Sequence, residues 1–436
     1  MKTVVIVAPH FLPGFLPSVH RSRLWAYHLQ EFGWKPVILA TDPEYYECQV
    51  LPEMLDLLPP GLEVIRTRAL PVKPLRLVGD IGMRSLYWYW SALAGLARSR
   101  KIDFLLFTIP ACVPALLGPY VYRRFGIPYG IDYIDPWVPE TPQRYRVLSK
   151  AWLADRVSEV LEPLAVRDAR LISGINEAYF ESVLRRNPHL KDRAVTAGMP
   201  YGGSDRDYEA LDRKPRRLFL FDPDDGLAHI VYAGALLPKA FEVLDRLLAG
   251  VALLRTTHPA RASRLRIHFV GTGVNESDPD SGHTVKPYIE KYGLEGIVSE
   301  LPSRIGYLDA LNHLRRATAI LAIGSTEPHY APSKIYQAFM SKRPLLALLH
   351  EKSTAVATVR ESRAGQVVTF NETTLPTAAD MAVALEGFLA WEAGFDSSTV
   401  DGTVFESVSA RETTRVLADA MDRAVDLEGT LAAPLP

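Results

Sequence analysis

The richest run of chemical side chains is residues 326–337, Thr-Glu-Pro-His-Tyr-Ala-Pro-Ser-Lys-Ile-Tyr-Gln, directly after the apolar run Ala319-Ile320-Leu321-Ala322-Ile323-Gly324. A short apolar run ending in a small residue reads as a buried parallel strand. Pro332 fits the first turn of a following helix, where its missing N–H costs nothing. The loop between them gathers a carboxylate (Glu327), an imidazole (His329) and a phenol (Tyr330) beside that helix start. Free backbone N–H groups and the helix dipole favour an anion there, and Lys334 adds a positive charge. An α/β sheet presents anionic ligands in this way, at the carboxyl ends of its strands. The segment points to a nucleotide or sugar-phosphate site; the competing reading is an ordinary strand-loop-helix unit with a surface lysine.

Other candidates are dispersed. Gly14 and Gly234 follow apolar runs, where a backbone must turn tightly or approach a ligand. Gly271-Thr272-Gly273 could border a nucleotide base, but it lacks the third glycine of a dinucleotide fingerprint. The loop Pro9-His10-Phe11-Leu12-Pro13-Gly14 has a single glycine, which argues against a dehydrogenase. Asp132 and Asp135 fall at a strand end, where a carboxylate can orient or deprotonate an acceptor hydroxyl. The alternative is a loop aspartate capping the next helix. His10 reads as a hydrogen-bonded loop histidine, and His229 and His268 as structural. Asp222-Pro223-Asp224 and Asp278-Pro279-Asp280 read as solvated turns, so no obligatory metal is expected. Residues 73–101 hold six Lys/Arg against Asp80, around Tyr87-Trp88-Tyr89-Trp90. That helix is expected to pack in the core through Tyr87, Trp90 and residues 93–96, with weak peripheral membrane contact as the lesser reading.

These residues need elements to hold them. The chain has 436 residues, 48% apolar and 23% charged, with a net charge of −1. That length favours two domains, and the charge gives no electrostatic case for nucleic acid. Cys48 and Cys112 have no metal-ligand spacing and fit a reducing compartment. The N-terminal apolar run is short and meets Pro9, so it reads as a first strand rather than a signal peptide. Expected strands lie at 3–8, 36–40, 62–65, 104–108, 129–133 and 171–174, then at 229–233, 265–270, 297–300, 319–323, 345–349 and 366–369. Helical patterns fall between them, which predicts parallel sheets covered on both faces. Turn residues and charge crowd together near 201–227, which places the domain boundary there.

Taken in order, several segments resemble family 4 glycosyltransferases of the GT-B architecture. Pro9–Gly14 with Arg21, Leu29 and Gly33 resembles that family's first strand, glycine loop and first helix. Asp132-Tyr133-Ile134-Asp135-Pro136-Trp137 resembles its acceptor-side segment. Val231-Tyr232-Ala233-Gly234-Ala235-Leu236 and Phe269-Val270-Gly271-Thr272-Gly273 resemble the start of its donor domain. Pro332-Ser333-Lys334-Ile335-Tyr336-Gln337 with Arg343-Pro344 resembles its donor motif. The chain departs from the family's paired glutamates, with His329 and Gln337 in their places. Ala235 stands where the family has an arginine, and Lys239 is the nearest cation downstream.

The resemblance implies an α/β fold of two Rossmann-like domains with a carboxyl-terminal helix crossing between them. Residues 1–205 would form the acceptor side, 206–228 a linker, 229–400 the donor domain and 401–436 the returning helix. It implies transfer of a sugar from a nucleotide-sugar donor to a hydroxyl acceptor, retaining and without an obligatory metal or cofactor. Asp132, Asp135, His329 and Glu327 would be catalytic. Gly14, Gly234, Lys239, Gly271, Thr272, Gly273, Pro332, Ser333, Lys334 and Gln337 would hold the donor. The expected location is cytoplasmic, with possible contact at the inner face of a membrane. Alternatives are a non-catalytic nucleotide-sugar-binding or scaffold member, or an epimerase or phosphorylase on the same fold.

Overall fold

The computed structural model describes residues 1–72, 79–139, 149–236, 238–273, 282–326 and 334–432. The chain divides into two compact units. Met1–Gly202 with Val408–Pro436 forms the first, and Gly203–Ser407 the second.

The first unit holds seven parallel strands: β1 (Lys2–Val7), β2 (Trp34–Thr41), β3 (Glu63–Thr67), β4 (Phe104–Ile109), β5 (Tyr129–Tyr133), β6 (Leu171–Gly174) and β7 (Val195–Gly198). Their order across the sheet is β3-β2-β1-β4-β5-β6-β7. The second unit holds β8 (Ala228–Ala233), β9 (Leu265–Val270), β10 (Val298–Leu301), β11 (Ala319–Ile323), β12 (Leu345–His350) and β13 (Gly365–Phe370). Their order is β10-β9-β8-β11-β12-β13, again parallel. Each sheet therefore starts in its middle and is wound outward in both directions. The order reverses between β1 and β4 in one unit and between β8 and β11 in the other.

Covering a parallel sheet on both faces buries its central strands throughout, so they read as unbroken apolar runs. All six residues of β4, Phe-Leu-Leu-Phe-Thr-Ile, are buried, as are those of β12. Strand β7, Val-Thr-Ala-Gly, was not expected; it is a partly exposed edge strand with little apolar signal. The stretch 206–228 begins inside a helix, Asp205–Arg213, whose Ser204 caps the Arg206 N–H.

Two helices differ from expectation. In Ile81–Ser99 the buried aromatic is Tyr89, at 0% exposure, whereas Tyr87 is 72% exposed. Arg84, Ser85 and Tyr89 share the inner face, and polar partners allow this. Arg84 donates to the carbonyls of Leu70 at 2.6 Å and Tyr45 at 2.8 Å, and Tyr89 meets the Thr41 hydroxyl. At the end of the chain, a short helix Thr403–Glu406 precedes Ala410–Ala432. The latter packs on the first unit, with Leu417, Met421 and Ala424 fully buried. Asp422 accepts from Lys2 Nζ at 2.8 Å and Trp34 Nε1 at 3.1 Å. No described helix is long and apolar enough to cross a membrane.

In the second unit, helices Phe241–Thr257 and Ala378–Glu392 meet at Gly250. A Cβ there would lie 2.4 Å from Met381 Cβ. Gly250→Val should therefore force these helices apart and cost about 1–3 kcal/mol in urea unfolding. An unchanged midpoint would show that they do not pack through this glycine.

Candidate functional site

In a doubly wound sheet, ligands bind outside the carboxyl ends of the strands where the order reverses. The loops at those two points are the candidate site, and each belongs to one unit.

In the first unit, a cleft of about 260 Å³ opens at the carboxyl ends of β1 and β4, lined by Pro9, His10, Ser18, Asp80, Thr108 and Ala111 among others. Most of its polar groups are occupied. Thr108 Oγ1 donates to the Val7 carbonyl at 3.2 Å, and Asp80 accepts from Met83 N–H as a helix cap at 3.0 Å. His10 differs: its Nε2 is buried and has no hydrogen-bond partner among the described residues. Burial, and then the charge of Arg84, lower its pKa from 6.5 to about 4. At neutral pH this is an uncharged imidazole with a free nitrogen, which can accept a proton or a hydrogen bond. The Tyr46 ring packs against it edge-on, with ring centroids 4.9 Å apart.

Gly14 closes the same loop. Its N–H donates to the Phe11 carbonyl at 2.9 Å, and a Cβ would come within 3.1 Å of that oxygen. Tyr46 accepts from the Phe11 N–H at 2.8 Å, and Arg66 bonds both the Leu12 carbonyl and Tyr46. The loop is thus held from behind by β3 and the segment after β2.

Asp132 does not face an acceptor. It is fully buried in β5, and Arg21 binds it in two-pronged fashion, Nε to Oδ2 at 2.6 Å and Nη2 to Oδ1 at 2.9 Å. Ser173 Oγ adds a bond at 2.8 Å. Arg21 also donates to the Met199 carbonyl at 2.7 Å, and its guanidinium lies 4.6 Å from the Trp25 ring centre. With both oxygens taken, Asp132 ties helix Pro17–His28 to the sheet. Asp135, two residues beyond β5, is exposed with no hydrogen-bond partner among the described residues. Protein packed around the carboxyl raises its pKa. Asp135 lies close enough to Cys112, beyond β4, for its charge to help raise that thiol, which burial raises first.

In the second unit, Gly234 follows β8 with φ 112° and Gly271 follows β9 with φ 70°, both left-handed conformations suited to glycine. A Cβ on Gly271 would lie 3.7 Å from Gly234 Cα, so the two bare backbones are neighbours. Gly273 has no room for a side chain, since a Cβ would sit 2.9 Å from the Pro302 carbonyl. Thr272 is buried, and its hydroxyl donates to Glu300. It shapes the loop, and its hydroxyl is not free for a ligand. Glu300 also accepts from the backbone N–H groups of Thr284, Val285 and Lys286 at 2.8–3.1 Å. Burial raises this carboxyl, but the Thr272 bond and those N–H groups outweigh it and hold the pKa below the usual value.

Beyond β11, Thr326 N–H donates to the Lys239 carbonyl at 3.3 Å, which brings the exposed Lys239 beside the switch point. Of the helix expected to have Pro332 in its first turn, the described residues Lys334–Met340 are helical. Gln337 is half-buried, and its carbonyl accepts from Tyr208 at 3.0 Å. Glu327, His329, Pro332 and Ser333 lie outside the described residues, as does Asp278-Pro279-Asp280. Asp222 caps its own turn, accepting from Asp224 N–H at 3.0 Å. His229 and His268 bond each other at 2.9 Å under the stacked Phe221 ring, a structural cluster as expected.

No protein-family model matches the chain, and no curated protein matches it. Solved structures do. Sucrose-phosphate synthase from Thermosynechococcus elongatus superposes at TM-score 0.55 and 15% identity, over 99% of this chain and 98% of that one. The α,α-trehalose 6-phosphate synthase of Burkholderia multivorans gives TM-score 0.59 at 12% identity, over 100% and 99%. The E. coli trehalose-6-phosphate protein bound with UDP-2-fluoro glucose gives TM-score 0.56 at 12% identity, over 99% and 98%. The fold is GT-B, with two Rossmann-like domains.

Two outcomes follow. Arg21→Ala strands a buried carboxylate and should cost about 3–5 kcal/mol in unfolding free energy, with Arg21→Met/Asp132→Leu recovering much of it; a loss below about 1 kcal/mol would count against the pair. His10 binds a proton more readily unfolded than folded, so the stability tied to its neutral form is complete above pH 6.5. It is lost as pH falls toward 4, and amounts to about 3 kcal/mol at most. His10→Gln should therefore flatten the stability profile over that window, and parallel profiles for the two proteins would contradict the assignment.

Proposed function

We propose that the chain is a glycosyltransferase that moves a sugar from a nucleotide-sugar donor to a hydroxyl acceptor. The observation that carries this reading is that each unit has a switch-point loop with one property the reaction needs. In the second unit, Gly234 and Gly271 leave bare, adjacent backbone beside the ends of β8 and β9. A diphosphate can approach such backbone closely. In the first unit, His10 offers a neutral, unpartnered nitrogen at the wall of a cleft of about 260 Å³.

In this reading the donor lies against the second unit. Lys334, Ser333 and loop amides meet the diphosphate, and Lys239 supplies a further cation. Gln337 can both donate to and accept from the ribose hydroxyls. His329 or Glu327 faces the transferred sugar. The acceptor lies against the first unit, near Gly14, with His10 or Asp135 orienting its hydroxyl. Asp132 is left out, because both its oxygens are occupied. Protein donors stabilise the leaving diphosphate, without an obligatory metal. Retention at the anomeric carbon is proposed from the resemblance in sequence. For peripheral membrane contact through residues 73–101, the exposed Met83 and Tyr87 speak in favour among the described residues, while Arg100 pairs with Glu63 and Lys101 with Asp103.

A second reading, a nucleotide-sugar-binding protein without transfer activity, is favoured by Gln337 and Ala235 standing where the resembling family carries charge.

Release of nucleoside diphosphate separates the two. Purified protein should be thermally stabilised by one of the UDP-, GDP-, ADP- or TDP-sugars and should slowly release its diphosphate. Lys334→Ala should lower kcat/KM about 10²-fold or more. Stabilisation without release selects the binding protein, and wild-type turnover by Lys334→Ala would remove the donor assignment.

A further inference from the structure

Opposite the donor loops, at the amino ends of β11 and β12, a polar groove of about 430 Å³ lies within the second unit, lined by Arg316, Lys342, Arg343 and Glu392 among others. Strand β11 has five residues, so the groove is roughly 16 Å from the donor end of the sheet. The Arg343-Pro344 element opens this far face and does not reach the switch point.

The charges in the groove are separated. Arg316 and Lys342 are exposed and Arg343 is half-buried, and none has a carboxylate partner among the described residues. The neighbouring Arg315 is already paired with Asp212 at 2.6 Å, and its carbonyl accepts from Arg343 Nε at 2.7 Å. Burial, then Arg316 and Arg315, hold the Arg343 guanidinium below its usual range, with no carboxylate opposing them. Burial raises the Glu392 carboxyl and Arg264 opposes this, and no ion pair joins Glu392 to these cations among the described residues. Asp224, also in the lining, is exposed.

Lys342 adds an independent sign. It has φ 56°, a left-handed conformation at the end of helix Lys334–Met340 where glycine is the usual residue. A residue with a side chain is held there at a cost in backbone strain. Lys342 directly precedes Arg343, and both line the groove. A second groove of about 430 Å³, with Phe339, Met340 and Phe395 in its wall, opens against the same Lys342-Arg343 turn.

We propose that the groove is a second ligand site, which binds a small phosphorylated polyol. Its phosphate meets Arg316, Lys342 and Arg343, and its hydroxyls meet Glu392 and Ser397. The site is separate from the donor cleft, and the helix Lys334–Met340 runs between the two, from the donor loop to the Lys342 turn.

Glucose 6-phosphate, with inorganic phosphate and sulfate at matched ionic strength, tests this by calorimetry on the full chain. Lys342→Gly removes a cation while relieving its backbone, and Arg316→Gln changes an exposed side chain, so the double variant should fold. The wild type should bind glucose 6-phosphate saturably and at least tenfold more tightly than sulfate, and the double variant should lose at least tenfold. Binding should persist when the donor cleft is saturated with the nucleotide-sugar that stabilises the protein. Absence of saturable binding, equal affinity for sulfate, an unchanged double variant, or competition by the nucleotide-sugar would each overturn the proposal.

Discussion

A parallel sheet wound outward from its first strand must leave a gap between the two loops that depart in opposite directions, and the candidate donor and acceptor groups in this protein take their meaning from that gap. The order β3-β2-β1-β4 creates it in one unit and β9-β8-β11-β12 in the other. At these points a strand ends and its loop turns away, while the N–H groups of Gly234 and Gly271 are still taken by the carbonyls of Val270 and Leu301. The glycines at 234 and 271 and the free nitrogen of His10 are all found there.

Burial sorts the chemically able residues into two groups. Asp132, Thr272 and Glu300 have the right types and positions for ligand contact, yet each is enclosed. An enclosed polar group must be satisfied by protein. Asp132 takes Arg21, and Glu300 takes Thr272 and three backbone N–H groups. What is satisfied holds the loops in shape. His10 Nε2, without a hydrogen-bond partner among the described residues, and the side-chain-free surface of Gly234 and Gly271 are what this leaves at the loop ends.

The two ends of the second sheet illustrate the same division. Its carboxyl end presents backbone and small residues, suited to a ligand that needs close approach. Its amino end presents Arg316, Lys342 and Arg343, none with a carboxylate partner among the described residues. Parallel strands point all their carboxyl ends one way, so the two faces of one short sheet can carry different tasks.

The central strands, the glycine loops after β1, β8 and β9, and the helix containing Lys334–Met340 were legible in the sequence, because apolar runs and punctuating glycines are local signals. Edge strand β7 was not, since its four residues carry almost no apolar signal. On the Ile81–Ser99 helix Trp90 and Leu93 pack on the core as expected, but Tyr87 is exposed and Tyr89 is buried instead, its hydroxyl bonded to that of Thr41, more than forty positions away. Local pattern thus determined which segments are strand, helix or turn, and therefore the class of fold. Tertiary structure alone decided which carboxylates are spent and which are free, because the partner that spends Asp132 is Arg21, 111 residues distant, and only packing brings the two together.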